Sequence, residues 1–212
     1  MTTNRFVSSV SFCLLAFFLS SVSLSLADDP KFTSTWKAPE AAGVTFAGKK
    51  VAALVMSTDE NLRVSAEEQL VREIGARGAE GVATYKMMPK EEAATAERAR
   101  PWYERAKVAG VVALRPVAVD REKVYTPSVW VTSSYSTLWG YYGYGWTTVS
   151  GFGGSSRTDT RVVIETLVYS LPLDKLLWAG VSQATNPKET QAFVKDLAKE
   201  ALKEMKKQGL VK

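Results

Sequence analysis

The segment from Val124 to Ser156 constrains the fold of this chain most, because it carries no charged residue and is crowded with aromatic residues and glycine. In water, such rings fold back on the rest of the protein, meet a partner, or lie at a lipid boundary. The first alternative is structural, with the segment filling gaps over a sheet. The second makes it a binding surface, and the third makes it a hairpin tip at a membrane interface.

Tyr and Trp offer large contact areas at low entropic cost, and the glycines between them allow adaptation to a partner. The apolar and polar residues that alternate from Val129 to Trp139 predict a half-buried strand, although one too irregular to indicate a membrane barrel. We interpret 132–156 as a Tyr/Gly/Trp-rich insertion. The six residues expected to contact a partner are Tyr135, Trp139, Tyr141, Tyr142, Tyr144 and Trp146.

The N-terminal sequence predicts export. A short positive start precedes an uncharged run over 6–27, and Ser25-Leu26-Ala27 places small residues at the positions that a signal peptidase reads. We interpret 1–27 as a signal peptide cleaved after Ala27, which would place the mature protein in the periplasm or at the outer membrane. The alternative is an uncleaved anchor, since the run is long enough to span a bilayer.

Composition excludes several kinds of chemistry. The chain contains no histidine, and its one cysteine, Cys13, lies inside the predicted signal peptide. Ser-His-Asp and Cys-His nucleophile systems are therefore excluded, as are zinc sites with histidine ligands. The net charge of +5 is spread along the chain without a basic block, so we predict no nucleic-acid partner. We also predict no metal, no cofactor and no catalytic residue.

Short apolar runs alternate with helical patterns over 49–212, which predicts one α/β domain behind an extended lead-in over 28–48. The order β-α-β-α-β-β-β-α implies a mixed sheet with helices packed on it. The expected strands cover 51–56, 82–88, 111–114 with a continuation toward 131, 160–171 and 176–182.

Capping residues mark the ends of the expected helices. Ser65 or Ser57 begins a capping box for the first helix, and Pro101 should start a second piece of the next one. The last helix should begin at a cap on Asn186 and close at Gly209. Its apolar stripe consists of Phe193, Leu197, Ala201, Leu202 and Met205.

Paired carboxylates are the catalytic alternative, because two of them held about 5–10 Å apart can hydrolyse glycosides. Asp120, Glu122, Asp159 and Glu165 flank the central strands. If the strands on either side of the insertion pair, Asp120 and Glu122 lie far from Asp159, so we expect no convergence. Glu165 should face solvent or meet Arg161 along its strand. A carboxylate-dependent periplasmic hydrolase is therefore the second hypothesis for function.

Several short motifs together resemble those of a known family. They are Trp36-Lys37-Ala38-Pro39, Lys50–Val55, Ala76-Arg77-Gly78, Ala109-Gly110-Val111-Val112, Val163–Tyr169 and Lys175–Gly180. With the Tyr/Gly-rich middle and the closing helix, they resemble a domain-of-unknown-function family of bacterial envelope proteins, many of them lipoproteins. At the level of fold the likeness extends to the curli-secretion lipoprotein and to the N-terminal domain of the Tol-system propeller protein.

The resemblance covers most of the predicted mature chain and brings no catalytic residues. Many family members carry a lipidated cysteine after their signal, and this chain departs from them there. The sequence therefore predicts an exported, non-catalytic envelope module with a binding or assembly role. Its expected partner is an envelope protein or a glycan, and the third hypothesis is a membrane-interface component of an envelope assembly.

Overall fold

The computed structural model describes residues 32–117, 127–148, 161–185 and 190–212. Its strands are β1 (Phe32–Lys37), β2 (Lys50–Val55), β3 (Glu80–Ala83), β4 (Gly110–Val117), β5 (Arg161–Ser170) and β6 (Lys175–Thr185). Its helices are α1 (Glu60–Gly75), α2 (Thr84–Met87), α3 (Ala96–Arg105), α4 (Ser133–Ser136), α5 (Leu138–Thr147) and α6 (Thr190–Lys207). The predicted α/β class, a mixed sheet with helices packed on it, is confirmed. The predicted signal peptide and the predicted cap at Asn186 lie outside the described residues.

The six strands form one sheet in the order β1-β6-β5-β4-β2-β3. Strand β2 is parallel to β3 and β4, and the remaining neighbours are antiparallel. Helix α1 connects β2 to β3, and helix α3 connects β3 to β4. Strands β3 and β4 lie on opposite sides of β2 in the sheet. We call the end of the sheet where β2, β3 and β4 begin the amino edge, and the end where they finish the carboxyl edge.

A separate apolar core covers each face of the sheet. On the first face, α1 and α6 pack over the β2 and β4 side chains that point their way. On the second face, α3, α4 and α5 cover the alternate residues of the same strands. The predicted apolar stripe of α6 is buried throughout, and the helix closes where Leu210 N donates to Met205 O at 3.0 Å. Central strands buried on both faces explain the near-continuous apolar runs in the sequence.

One strand was missed in the sequence, and one predicted strand was wrong. The lead-in contains an edge strand, β1, which pairs with β6 and hides alternate residues such as Trp36. The strand expected over 82–88 ends at Ala83, because Thr84 begins the short helix α2. The carboxylate of Glu67 holds this turn by accepting hydrogen bonds from the Thr84 hydroxyl at 2.6 Å and the Tyr85 amide at 2.9 Å.

Two local predictions about helices were wrong as well. Helix α1 is capped by Asp59, whose carboxylate accepts from Leu62 N at 3.1 Å, and neither predicted serine caps it. Pro101 lies inside α3 and does not start a new piece. The break lies earlier, at Thr95, whose hydroxyl accepts from Arg98 N at 3.4 Å. Among the helices within the described ranges, none combines the length and the apolar character needed to cross a membrane.

Candidate functional site: an aromatic cap held by a buried ion pair

The aromatic segment folds back onto the second face of the sheet. We call residues 127–148 the aromatic cap; it consists of a 3-10 turn (Pro127–Val131) followed by α4 and α5. Thr137 starts α5 by accepting a hydrogen bond from Gly140 N at 3.1 Å. A helix that is apolar on almost every side is stable only where it is largely buried. Of the three alternatives for the segment, this geometry corresponds to the structural one, in which the segment packs over the sheet.

One stripe of the cap points at the sheet. Tyr141 and Gly145 lie one turn apart on α5, and Tyr135 reaches the same place from α4. The Tyr135 hydroxyl donates to Glu165 Oε1 at 2.9 Å, and the Tyr141 hydroxyl donates to Glu165 Oε2 at 3.2 Å. The hydroxyl of Tyr169 on β5 donates to the backbone oxygen of Tyr135 at 2.9 Å. These bonds fix the two short helices to the sheet.

Arg115 and Glu165 form the centre of this contact. Arg115 Nη2 lies 2.6 Å from Glu165 Oε2, Arg115 Nε lies 3.0 Å from the same oxygen, and both side chains are buried. The guanidinium also donates to the Thr148 hydroxyl and lies 4.9 Å from the centroid of the Tyr144 ring. An unpaired charge at this depth would cost several kcal/mol, so pairing is a condition of folding.

The electrostatics keep Arg115, Tyr135 and Tyr141 protonated. Burial alone lowers the pKa of Arg115, but its neighbours Tyr141 and Glu165 more than reverse this, and its pKa lies above the ordinary value. Burial, with the nearby charge of Glu165, raises the pKa of Tyr135 and Tyr141. At neutral pH the arginine is therefore charged, and both phenols keep the protons that they donate to Glu165.

A second stripe of α5 points at α3. Trp139, Tyr142 and Trp146 follow one another at helical spacing, with centroid separations of 6.2 and 6.4 Å. Tyr142 is buried, and its hydroxyl donates to the backbone oxygen of Ala93 at 3.1 Å. Tyr103 on α3 meets the Trp139 ring edge-on at 5.6 Å, and the guanidinium of Arg100 lies 4.7 Å from the same ring. The indoles of this stripe are only half-buried.

Two glycines of the cap permit close packing. A Cβ atom at Gly145 would lie 2.3 Å from the sulfur of Met56, at the carboxyl edge of the sheet. A Cβ at Gly140 would lie 2.2 Å from the backbone oxygen of Ser133. Both distances are far below van der Waals contact. These glycines therefore allow α5 to approach the sheet and α4, which differs from the adaptability that the sequence suggested.

The structure divides the six predicted contact residues. Tyr135, Tyr141 and Tyr142 are buried and occupied by intramolecular hydrogen bonds. The expectation that these three are displayed outward is wrong for the folded chain, because Glu165 and Ala93 offer buried acceptors that their hydroxyls reach. The half-buried members, which keep part of their rings at the surface, are Trp139, Tyr144 and Trp146.

The strand predicted from Val129 to Trp139 is also wrong, since this stretch forms the 3-10 turn, α4 and the start of α5. In the predicted strand, Val129 and Val131 lie on the apolar face and Trp130 on the polar one. Trp130 is buried and meets Tyr135 edge-on at 5.2 Å, whereas Val131 is 65% exposed. The 3-10 turn allows Trp130 to reach the ring cluster and leaves Val131 at the surface.

Glu165 does not face solvent or meet Arg161 as predicted; it meets Arg115. The other carboxylates considered for a hydrolase, Asp120, Glu122 and Asp159, lie outside the described residues. Within the described ranges, no group of three or more Asp, Glu or Cys residues is placed to hold a metal ion.

A second buried carboxylate, Glu67, lies at the carboxyl edge. In addition to the bonds that hold α2, it accepts from Val55 N at 3.2 Å. Burial raises the pKa of Glu67, and the hydrogen bonds from Thr84, Tyr85 and Val55 partly oppose the shift. The carboxylate therefore joins α1 to the ends of β2 and β3.

The sequence contained a signal for the ion pair that our interpretation missed. Arg115 follows Val111-Val112-Ala113-Leu114, and Glu165 follows Val162-Val163-Ile164, so each interrupts a run that predicts a strand buried on both faces. An ionisable residue in such a strand is rarely buried without a partner of opposite charge. Two neighbouring strands, each with one such residue, therefore indicate a buried pair.

Comparison with known proteins gives a distant likeness of fold. No family model matches this chain, and no curated protein matches it either. Among solved structures, the chain is similar to the PelC dodecamer from Paraburkholderia phytofirmans, with 10% identity, a TM-score of 0.41, and coverage of 84% of this chain and 96% of that chain. A dodecamer of a PelC point variant from the same organism gives 10% identity and a TM-score of 0.40, with 84% and 97% covered. The family resemblance inferred from the sequence motifs therefore stays a prediction.

Proposed function

We propose that this chain is an exported, non-catalytic module of the cell envelope that binds or assembles with a partner through the outer side of its aromatic cap. The N-terminal run with small residues before Asp28 supports export to the periplasm or the outer membrane. The partner class that fits this location is an envelope protein or a glycan.

The observation that carries the proposal is the division of rings on α5. Tyr141 and Tyr142 anchor the helix, so the surface parts of Trp139, Tyr144 and Trp146 are presented by a helix of fixed position. Rigid aromatic residues lose little entropy on binding, and half-buried indoles keep part of their area for a partner. The guanidinium of Arg100 over Trp139 adds donors at the same place.

The chemistry of the buried groups supports a role without catalysis. Both oxygens of Glu165 accept from Tyr135, Tyr141 or Arg115, and both oxygens of Glu67 accept from α2 or β2. A carboxylate that is fully occupied by neighbours in its own chain is not free to transfer a proton or attack a substrate. For the hydrolase hypothesis, Glu165 therefore offers no support.

The test is affinity capture from an envelope extract, with the chain from Asp28 to Lys212 immobilised. A Trp139→Leu/Trp146→Leu variant keeps apolar packing but removes ring area. Trp102→Leu is the matched control, since Trp102 is a half-buried indole on α3. Circular dichroism and thermal melting establish that all forms are folded.

We expect the wild type and the Trp102 variant to retain the same partner, and the double variant to lose it by at least about tenfold. Equal retention by all three forms would contradict a binding role for the cap.

A further inference from the structure

The amino edge of the sheet brings together the ends of strands and of helices from both faces. Strands β2, β3 and β4 begin there, and α1, α3 and α6 end there. Backbone hydrogen bonds tie the ends together: Glu80 N donates to Lys49 O at 2.8 Å, Ala109 N to Lys50 O at 2.8 Å, and Lys212 N to Arg77 O at 3.1 Å. The residues next to these bonds therefore share one end of the molecule.

This edge carries an excess of positive charge. Four of its cations have carboxylate partners: Lys50 with Glu80, Arg77 with Glu73, Lys207 with Glu204 and Lys175 with Glu40. Seven more cations are exposed and, within the described part of the chain, form no salt bridge; these are Lys37, Lys49, Arg72, Arg105, Lys107, Lys206 and Lys212. Two exposed carboxylates of the same edge, Glu104 and Asp174, offset two of them.

Helix dipoles account for only part of this charge. Lys206 lies in the last turn of α6, and Lys107 follows the end of α3, where a cation is favourable. Lys37 ends an edge strand, and its ammonium donates to the backbone oxygen of Gln208, just beyond α6, at 3.2 Å. Lys49 precedes β2, and no helix end explains it. The positive charge is therefore a property of this end of the molecule and not only of its helix ends.

An exposed apolar residue lies at the same edge. Leu173 occupies the turn between β5 and β6 and is 47% exposed. Among the described residues, the one other large hydrophobic side chain with comparable exposure is Val131, in the aromatic cap. A leucine on a tight turn beside lysines combines the two features that bind a protein to a charged lipid surface: electrostatic attraction and apolar insertion.

We propose that the amino edge docks on a membrane surface containing anionic lipids, with the five lysines against the head groups and Leu173 inserted between them. Five of the seven unpaired cations are lysines, whose mobile point charges suit a diffuse layer of head groups, whereas arginine suits fixed bidentate sites. This surface is independent of the aromatic cap, and its failure would leave the cap proposal unchanged.

Co-sedimentation with vesicles tests the proposal, using the chain from Asp28 to Lys212 and phosphatidylglycerol or phosphatidylcholine vesicles. Each lysine near an anionic surface contributes about fivefold to the partition coefficient, so Lys37→Gln/Lys49→Gln/Lys206→Gln should lower it roughly a hundredfold. Leu173→Ser should lower it at least about threefold, by removing the apolar insertion. The matched control is Lys86→Gln/Lys90→Gln/Lys199→Gln, which removes the same charge from lysines outside the amino edge.

We expect binding to anionic vesicles only, and high salt should reverse it. On a logarithmic scale, the control triple variant should lower the partition coefficient by less than about a third as much as the edge variant does. Equal losses in the two triple variants, or binding to neutral vesicles as strong as to anionic ones, would overturn the proposal. An unchanged partition of Leu173→Ser would also overturn it, because electrostatic attraction alone would then account for the binding and Leu173 would not insert.

Discussion

Arg115 on β4 lies directly opposite Glu165 on β5, and their side chains meet at 2.6 Å with at most 1% of either exposed to solvent. This cross-strand ion pair supplies the acceptors and the cation to which the aromatic cap is attached. The position of the aromatic cap on the sheet therefore depends on a buried charge pair, in a part of the sheet that is otherwise apolar.

Removing one partner of the pair should be costly. Arg115→Met leaves the Glu165 carboxylate buried without its counter-ion, and we expect a loss of about 3–5 kcal/mol in the free energy of unfolding. Urea denaturation followed by tryptophan fluorescence measures the loss.

The double variant Arg115→Met/Glu165→Leu is the control. We expect it to be more stable than Arg115→Met, because no charge is left unpaired, although Tyr135 and Tyr141 lose an acceptor. Glu165→Leu alone completes the comparison. If the stability losses of Arg115→Met and Glu165→Leu add up to the loss of the double variant, the two residues are not coupled, which would contradict this prediction.

Much of the sheet could be predicted from the sequence, because a short apolar run has few stable arrangements other than a strand buried on both faces. Strands β2, β4, β5 and β6 and helix α6 agree with the sequence expectation to within a few residues at their ends. β1 was missed because Thr33 and Thr35 alternate with partly hidden residues in a polar stretch, which is also typical of a loop. Its pairing with β6 decided the outcome.

The cap could not be predicted in the same way. Alternation around Val129 and the glycines between rings favoured a strand and a flexible loop. The helix forms because it brings the Tyr135 and Tyr141 hydroxyls to Glu165, which lies 30 and 24 positions away from them in the sequence. Local propensity does not contain such information, and tertiary packing overrode it.

The pH dependence of stability should reveal Glu67. Because burial raises its pKa above the ordinary value of 4.5, the folded protein binds more protons than the unfolded chain between that value and the raised pKa. The contribution of Glu67 to the free energy of unfolding therefore falls as pH rises through this window.

Urea denaturation of the wild type and of Glu67→Gln, at a series of pH values that starts at the ordinary pKa of a glutamate and rises to neutrality, measures this slope. We expect the wild type to lose stability relative to the glutamine variant as pH rises. A constant difference between the two proteins across the series would show that Glu67 titrates in the same way in both states.

Two glycines of α5 should respond in opposite ways to alanine. Gly143 is exposed, and a methyl group added there would meet open space, so Gly143→Ala should stabilise the protein by about 0.5–1 kcal/mol through helix propensity. Gly145→Ala should destabilise it by about 1–3 kcal/mol, since the methyl group meets Met56. Thermal melting compares the two; changes of the same sign would refute the packed helix.

Replacing Thr166 should stabilise the protein. It is fully buried on β5, and among the described residues its hydroxyl has no hydrogen-bond partner. Thr166→Val keeps the shape and removes the unsatisfied group, so we expect a gain of about 1 kcal/mol in urea denaturation. Thr84→Val is the control: this buried hydroxyl donates to Glu67 at 2.6 Å, and its loss should destabilise the protein.

The role of the aromatic cap depends on α5 being a helix packed on the sheet. Hydrogen exchange of the backbone amides from Tyr141 to Trp146 tests it most directly, in the isolated chain and without a partner. We predict that these amides exchange at least roughly a thousandfold more slowly than in an unstructured peptide. Exchange within about tenfold of the unstructured rate would contradict the account, because the rings would then belong to a free loop.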